Sequence, residues 1–191
     1  MENVIKSNII GEFKQDETFS DWWKSSAIEI PFLDNLKLEI IFMDFEPEYD
    51  RTFIQEADQS LTNFLKLTTN DRRSISGLVF NNCMNFLADV GFDEADEALR
   101  QIKNENEIWK FIQPTEIYIS RRHSGDNDIY LQIACECDWE EEHGLQLVFR
   151  QGKRLTRISG QDGHLTEADA YDKPDSEDEL LSKFNTIELN P

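Results

Sequence analysis

Two of the three histidines in this 191-residue chain lie in short polar segments that could perform chemistry. The first polar segment, 138–144, reads Asp-Trp-Glu-Glu-Glu-His-Gly, and the second polar segment, 159–166, reads Ser-Gly-Gln-Asp-Gly-His-Leu-Thr. Imidazole and carboxylate groups together can bind Zn, Mn or Fe(II), and a metal ion with an open position activates water. The same groups can instead close two loops without metal, because carboxylates accept hydrogen bonds from loop amides and a turn histidine donates to a carbonyl.

A predicted β-hairpin separates the two polar segments and decides whether they meet. Its strands, 145–150 and 153–159, are joined by the Gln-Gly pair at 151–152, and such a short loop is typical of a hairpin. A two-residue loop predicts that Leu145 lies opposite Ile158. Extending this pairing brings the two polar segments to one end of the sheet, where directly opposed residues are close neighbours.

The candidate binding site therefore combines residues from both polar segments. Its members are Trp139, Glu140, Glu141, Glu142, His143, Asp162 and His164. The metal hypothesis assigns as ligands Glu140, His143, Asp162 and His164. The chain has none of the common nucleotide-binding, nucleophile-elbow or zinc-protease motifs, so we assign no catalytic residue. No cofactor is expected unless a divalent metal binds at these residues.

The periodicity of the remaining chain predicts an α+β fold. Strand-like alternation at 27–42 and 115–159 encloses helix-like periodicity at 52–112, an order typical of a predominantly antiparallel sheet packed on two to four helices. The C-terminal strands form a four-strand meander over 115–121, 128–137, 145–150 and 153–159. Turns of a meander alternate between its two ends, so the two polar segments share one end whatever the register.

Helix boundaries are predicted from capping residues. Helices are expected over 52–67, 74–90 and, in a shorter third helix, 95–102. Thr52 and Gln55 match a capping box, and Gly91 stands where a C-terminal glycine cap belongs. We expect one domain over 1–172, followed by an acidic tail or short helix over 173–191.

The net charge of −20 limits the classes of partner. Nucleic acids and anionic membranes are disfavoured, because binding them requires clustered Lys and Arg, whereas capture of a basic protein is favoured. Acidity that serves only solubility is the alternative. The carboxylates concentrate in four segments, 44–50, 93–97, 138–142 and 172–179.

Three cysteines and the lack of an apolar leader or membrane helix predict a reduced, cytoplasmic protein. Cys135 and Cys137 continue the alternation of a strand, so we expect them to be core thiols and not metal ligands.

The segment Trp139-Glu140-Glu141-Glu142-His143-Gly144-Leu145, together with Asp162-Gly163-His164-Leu165-Thr166, resembles the signature of a family of uncharacterised bacterial domains. Upstream, Trp22-Trp23 and Ile30-Pro31-Phe32 extend the resemblance, which covers about 20–45 and 109–172. The resemblance implies no established activity. Small acidic proteins of such families are similar to the immunity partners carried beside bacterial toxins.

Two hypotheses about function follow. The first is a non-enzymatic protein-binding module, in its most specific form an immunity factor that occludes a basic toxin. The second is a divalent-metal-dependent, hydrolase-like enzyme with its site at 140–143 and 162–164.

Overall fold

The computed structural model describes the backbone of residues 3–187 and the side chains of residues 3–183. The strands are β1 (Val4–Ser7), β2 (Gly11–Gln15), β3 (Trp23–Ser25), β4 (Ile28–Ile30), β5 (Leu36–Leu38), β6 (Ile40–Phe42), β7 (Ile112–Arg121), β8 (Ile129–Cys137), β9 (Leu145–Arg150) and β10 (Arg154–Ser159). The helices are α1 (Phe53–Phe64), α2 (Thr69–Ser74), α3 (Ser76–Val90), α4 (Glu97–Arg100), α5 (Glu167–Ala170) and α6 (Glu179–Ile187). Short 3-10 helices span Pro31–Leu33, Glu105–Phe111 and Asp175–Glu177.

Eight strands form one mostly antiparallel sheet in the order β1-β2-β3-β6-β7-β8-β9-β10, and β4 pairs with β5 separately. Only the central pair, β6 with β7, is parallel among the described strand pairs. Helices α1 to α4 lie in the connection between those two strands, because a parallel pair requires a long crossover. The predicted α+β class and the four-strand meander, β7 to β10, are both confirmed.

The main core lies between the sheet and helices α1 and α3. Ile117, Ile133 and Leu147 on the meander and Leu61 and Val79 on the helices are all fully buried in it. Each such side chain contributes about 1.5–3 kcal/mol of hydrophobic stabilisation. The meander is therefore a rigid frame for the loops at its ends.

A smaller core covers the other face of the meander. Tyr130 and Val148 point to that face and are fully buried against Leu165 and Leu181, the latter from α6. Residues that follow the last strand thus return to cover the sheet. Of the predicted tail, 173–191, the last four residues lie outside the described part of the chain.

Of the predicted helix boundaries, only the end of 74–90 agrees with the structure, where α3 ends at Val90 and the third predicted helix is the shorter α4. Helix α1 ends at Phe64, and the short α2, which the sequence did not predict, precedes α3. The capping box at Thr52 does not form, because Asp50 instead accepts hydrogen bonds from the amides of Thr52 and Phe53 at 3.2 and 3.1 Å. Gly91 does cap α3, with φ of 93° and its amide donating to Leu87 O.

The register of the last hairpin is two residues from the predicted one. Ile158 pairs with Leu147 and not with Leu145, because the loop has three residues and a bulge follows Leu155. Each irregularity adds one residue, so beyond the bulge the shift is two, which preserves the face on which the side chains there lie. Gly152, at φ 63°, packs against the backbone of Ser60 so closely that a Cβ there has no room. The hairpin tip is thereby fixed on α1.

The three cysteines are free thiols buried in the core, as expected for Cys135 and Cys137. Burial raises the pKa of the Cys137 thiol to about 11. No helix in the described part of the chain combines the length and apolarity that crossing a membrane requires.

Candidate functional site

The two polar segments meet at one end of the meander, as its parity predicts. The amide of Gln161 donates to His143 O at 3.2 Å, and the Gln161 side-chain amide donates to Cys135 O at 3.1 Å. Gly144, at φ 61°, is closely packed against Cys135 O, which leaves no space for a Cβ. The two segments are therefore held together by backbone contacts.

The first polar segment is organised around the carboxylate of Glu140. One oxygen of this carboxylate accepts hydrogen bonds from the amides of Glu142 and His143 at 3.1 and 3.2 Å. The Glu140 carbonyl also accepts from the amide of Gly144 at 3.0 Å. Three consecutive glutamates are thus presented in one tight turn, in which Glu141 and Glu142 are exposed.

The second polar segment is organised around Arg157, which is 2% exposed. Its Nη1 and Nη2 donate to the two oxygens of Asp162 at 2.8 and 2.6 Å, and Nη1 also donates to His164 O at 2.6 Å. Burial acts to raise the pKa of Asp162, but the hydrogen bonds from Arg157 and the His164 amide outweigh it and hold that pKa below its usual value. Asp162 is therefore an ionised partner of an internal arginine.

An aromatic groove of about 310 Å³ lies between the two segments and α3. Phe86 and Trp139 form its apolar walls, and Glu140, His143 and Asp162 are at its polar side. Trp139 is only 6% exposed and belongs to the main core, so it supports the groove more than it presents a surface.

An acidic cleft of about 680 Å³ adjoins the aromatic groove. Its carboxylate side chains are those of Glu136, Asp138, Glu140, Glu141 and Glu142. Ala95, from the connection between α3 and α4, also lines it. No Lys or Arg is among the residues that line it, and none of the five carboxylates pairs with a described Lys or Arg.

Two of the other acidic segments each place a carboxylate on an internal arginine. From segment 44–50, Asp50 accepts from Arg121 Nε at 2.6 Å. From segment 172–179, Asp175 accepts from both terminal nitrogens of Arg122 at 2.8 and 2.6 Å. Arg122 also binds both oxygens of Asp169, through Nε at 2.9 Å and Nη2 at 2.8 Å.

The four residues of the metal hypothesis are brought to one end of the sheet but not into one ligand set. Glu140 is bound to loop amides and Asp162 to Arg157, while His164 lines neither the groove nor the cleft. Across the described residues, no group of three or more His, Cys, Asp and Glu side chains could hold a metal ion.

Sequence reasoning did not single out several residues of the site. Glu136 lines the cleft because it alternates outwards between Cys135 and Cys137, a signal that the strand pattern already contained. Asn82 and Phe86 line the groove from α3, and nothing in their local sequence marks them. Their part in the site follows from how α3 packs on the sheet.

The fold and site define an acidic α+β domain with an open, uncompensated carboxylate cleft at one end of a four-strand meander. The chain belongs to the family described as Domain of unknown function (DUF6985), whose model matches residues 9–165. The match includes the whole first polar segment and the second up to Leu165. No curated protein and no solved structure matches the chain.

Proposed function

We propose that this domain is a non-enzymatic protein-binding module that captures a basic protein partner in its acidic cleft. One observation carries the proposal. The five carboxylates of the cleft line one open cavity with no Lys or Arg among its lining residues. Carboxylates held near one another without a cation repel, and a cationic side chain of a partner removes that repulsion.

The contrast with the rest of the molecule supports this role. In the acidic segments 44–50 and 172–179, Asp50 is bound by Arg121 and Asp175 by Arg122. Acidity serving only solubility does not require five carboxylates to share one concave surface. The charge in the cleft is therefore directed at an external cation.

The cleft is also well suited to binding because it is preorganised. Glu140 is bound by two loop amides, and the Gln161 amide, which donates to His143 O, ties the second polar segment to the first. A surface that is already ordered loses little entropy when a partner binds. Within this class, the specific role we propose is an immunity factor that covers a basic toxin.

The test compares two triple variants in a pull-down from the native cell. The cleft variant carries Glu136→Gln, Glu141→Gln and Glu142→Gln, which remove three charges and keep the side-chain volumes. We expect it to lose a basic partner that the unmodified protein retains, and its association rate at low salt to fall about tenfold, because electrostatic steering sets that rate. The unmodified protein's association rate should also fall steeply as salt is raised, since exposed charges are screened over about 8–10 Å.

The matched control carries Glu12→Gln, Glu17→Gln and Glu48→Gln. These exposed carboxylates lie outside the cleft, and their removal changes the net charge by the same amount. The control should retain the partner. Equal losses in both variants would show that the net charge and not the cleft attracts the partner. Stoichiometric bound metal, with a turnover that His143→Ala abolishes, would instead favour the hydrolase-like alternative.

A further inference from the structure

The aromatic groove and the acidic cleft are two parts of one continuous concavity. The residues that line both are Glu140, His143, Gly144 and Gln161. Phe86 and Trp139 line the groove and not the cleft. Glu136, Glu141 and Glu142 line the cleft and not the groove. An extended segment of a partner that enters the cleft therefore also meets the groove.

The groove places aromatic surface beside the carboxylates of the cleft. Phe86 on α3 is only half-buried, so its ring is not fully covered by the protein. Gly160 also lines the groove, and a Cβ added there meets His143 Cβ at 3.5 Å and Gly144 O at 3.8 Å, which are ordinary contacts. The backbone therefore does not require a glycine at this position, and the absence of a side chain leaves the groove open.

The indole N–H of Trp139 has no acceptor within the described part of the chain. The indoles of Trp23 and Trp109, by contrast, donate to Phe45 O at 3.0 Å and to Ser76 Oγ at 2.8 Å. A buried tryptophan N–H usually has a hydrogen-bond partner, and Trp139 is only 6% exposed. Because Trp139 lines the groove, a main-chain carbonyl that enters the groove can accept from this N–H.

We propose that the partner enters this concavity with a segment in which an aromatic side chain is flanked by Lys or Arg. The aromatic side chain packs in the groove against Phe86 and Trp139, and the flanking cations bind the carboxylates of the cleft. A main-chain carbonyl of the segment accepts the hydrogen bond from the Trp139 indole. This inference rests on the proposed function, because it names the kind of segment that the acidic cleft captures.

The chemistry of the two parts selects this occupant over a purely apolar or a purely cationic one. A neutral apolar ligand leaves the five carboxylates of the cleft without a cation, since no Lys or Arg lines it. A cationic segment without a ring leaves the accessible face of Phe86 uncovered. An aromatic ring packed against aromatic walls gains free energy beyond that of the area it buries, and buried aromatic anchors beside a polar rim dominate many interfaces.

The experiment is an NMR titration of the full chain with two peptides. Acetyl-Lys-Phe-Lys-amide carries both elements of the proposed segment, and acetyl-Lys-Ala-Lys-amide has the same charge without the ring. We expect the phenylalanine peptide to bind about tenfold more tightly. The indole N–H signal of Trp139 should shift on its binding, because the ring and the peptide carbonyl both lie beside that indole.

The outcomes separate this inference from the function on which it rests. Equal affinities for the two peptides, with both weakened in the cleft variant described above, would overturn the aromatic element and leave the proposed function intact. A lack of saturable binding by either peptide would overturn both. The comparison uses the unmodified protein, so it does not depend on the folding of a variant.

One pair of variants locates the ring. Gly160→Leu places a side chain in the groove without backbone strain and should weaken the phenylalanine peptide about tenfold. Asn81→Leu, at an exposed position of α3 that does not line the groove, is the matched control and should leave that affinity unchanged. Equal effects of the two changes would place the ring outside the groove and contradict the inference. Thermal melting of each variant verifies that the fold is retained.

Discussion

The two ends of the meander treat carboxylates in opposite ways. At the arginine end, which holds the turn between β7 and β8, Arg122 is 3% exposed and binds three carboxylates, those of Asp126, Asp169 and Asp175. At the other end, the acidic cleft collects five carboxylates and no Lys or Arg. Carboxylates of the first kind stabilise the fold, whereas those of the second kind remain available to a partner.

The difference shows that net charge alone is a poor guide to function in this protein. A buried arginine that binds several carboxylates is structural, because removing it leaves buried charges without compensation. A group of exposed carboxylates without a cation contributes little to stability and can even reduce it. The comparison therefore predicts that mutations at the two ends have very different effects on the free energy of unfolding.

The largest effect is expected for Arg122→Met. This change leaves Asp169 and Asp175 without their cation. We expect the free energy of unfolding, measured by urea denaturation, to fall by about 3 kcal/mol or more. Arg51→Met, at an exposed arginine, is the control and should change stability by less than about 0.5 kcal/mol. Similar losses of stability in the two variants would show that the charge pairs of Arg122 do not stabilise the fold.

A smaller loss of stability is expected for Arg157→Met, which removes the hydrogen bonds that Arg157 donates to Asp162 and His164 O in the second polar segment. We expect about 2 kcal/mol, because hydrogen bonds to charged groups are each worth about 1.5–3 kcal/mol and Asp162 is partly exposed. Amide hydrogen exchange should accelerate over 160–164 and stay slow in β8. Unchanged exchange in the loop would show that Arg157 does not hold it.

The arginine end should also confer acid sensitivity, which Asp169→Asn tests. Burial acts to raise the pKa of Asp169, but hydrogen bonds from Arg122 outweigh it, so the folded-state pKa lies below the ordinary 3.8. A carboxyl with a depressed pKa stabilises the fold above its unfolded-state pKa, and this contribution disappears as the pH falls through the folded-state pKa.

The free energy of unfolding of the unmodified protein should therefore be about 1–2 kcal/mol larger than that of Asp169→Asn at pH 7. The two free energies should become equal below the folded-state pKa. Urea denaturation at a series of pH values measures this difference. A difference that is the same at every pH would assign the effect to geometry and not to charge.

The smallest effect is expected at the acidic cleft. The double variant Glu141→Gln and Glu142→Gln should change stability by no more than about 0.5 kcal/mol, and any change should be a stabilisation at low salt. That stabilisation comes from reduced repulsion, so it should vanish at 1 M salt, where the Debye length is about 3 Å. A clear destabilisation would place these glutamates among the structural carboxylates.

Local patterns predicted most of the fold and the position of the site. Period-two alternation identified β7 to β10, helical spacing identified α1 and α3, and Gly91 correctly marked the end of α3. The register of the last hairpin was wrong, because the three-residue loop and the bulge after Leu155 depend on packing against α1. The cap of α1 was wrong because Asp50, two residues earlier, accepts the hydrogen bond from the Thr52 amide that a Gln55 side chain would accept in a capping box.

The sequence by itself determined the α+β class and the placement of both polar segments at one end, because alternation and the parity of a meander are local properties. Only the tertiary structure decided which carboxylates are neutralised. Arg122 meets Asp175 across 53 residues of sequence and Arg121 meets Asp50 across 71, and contacts at such separations have no local signal. Long-range packing also brings Ala95 to the cleft that the first polar segment lines.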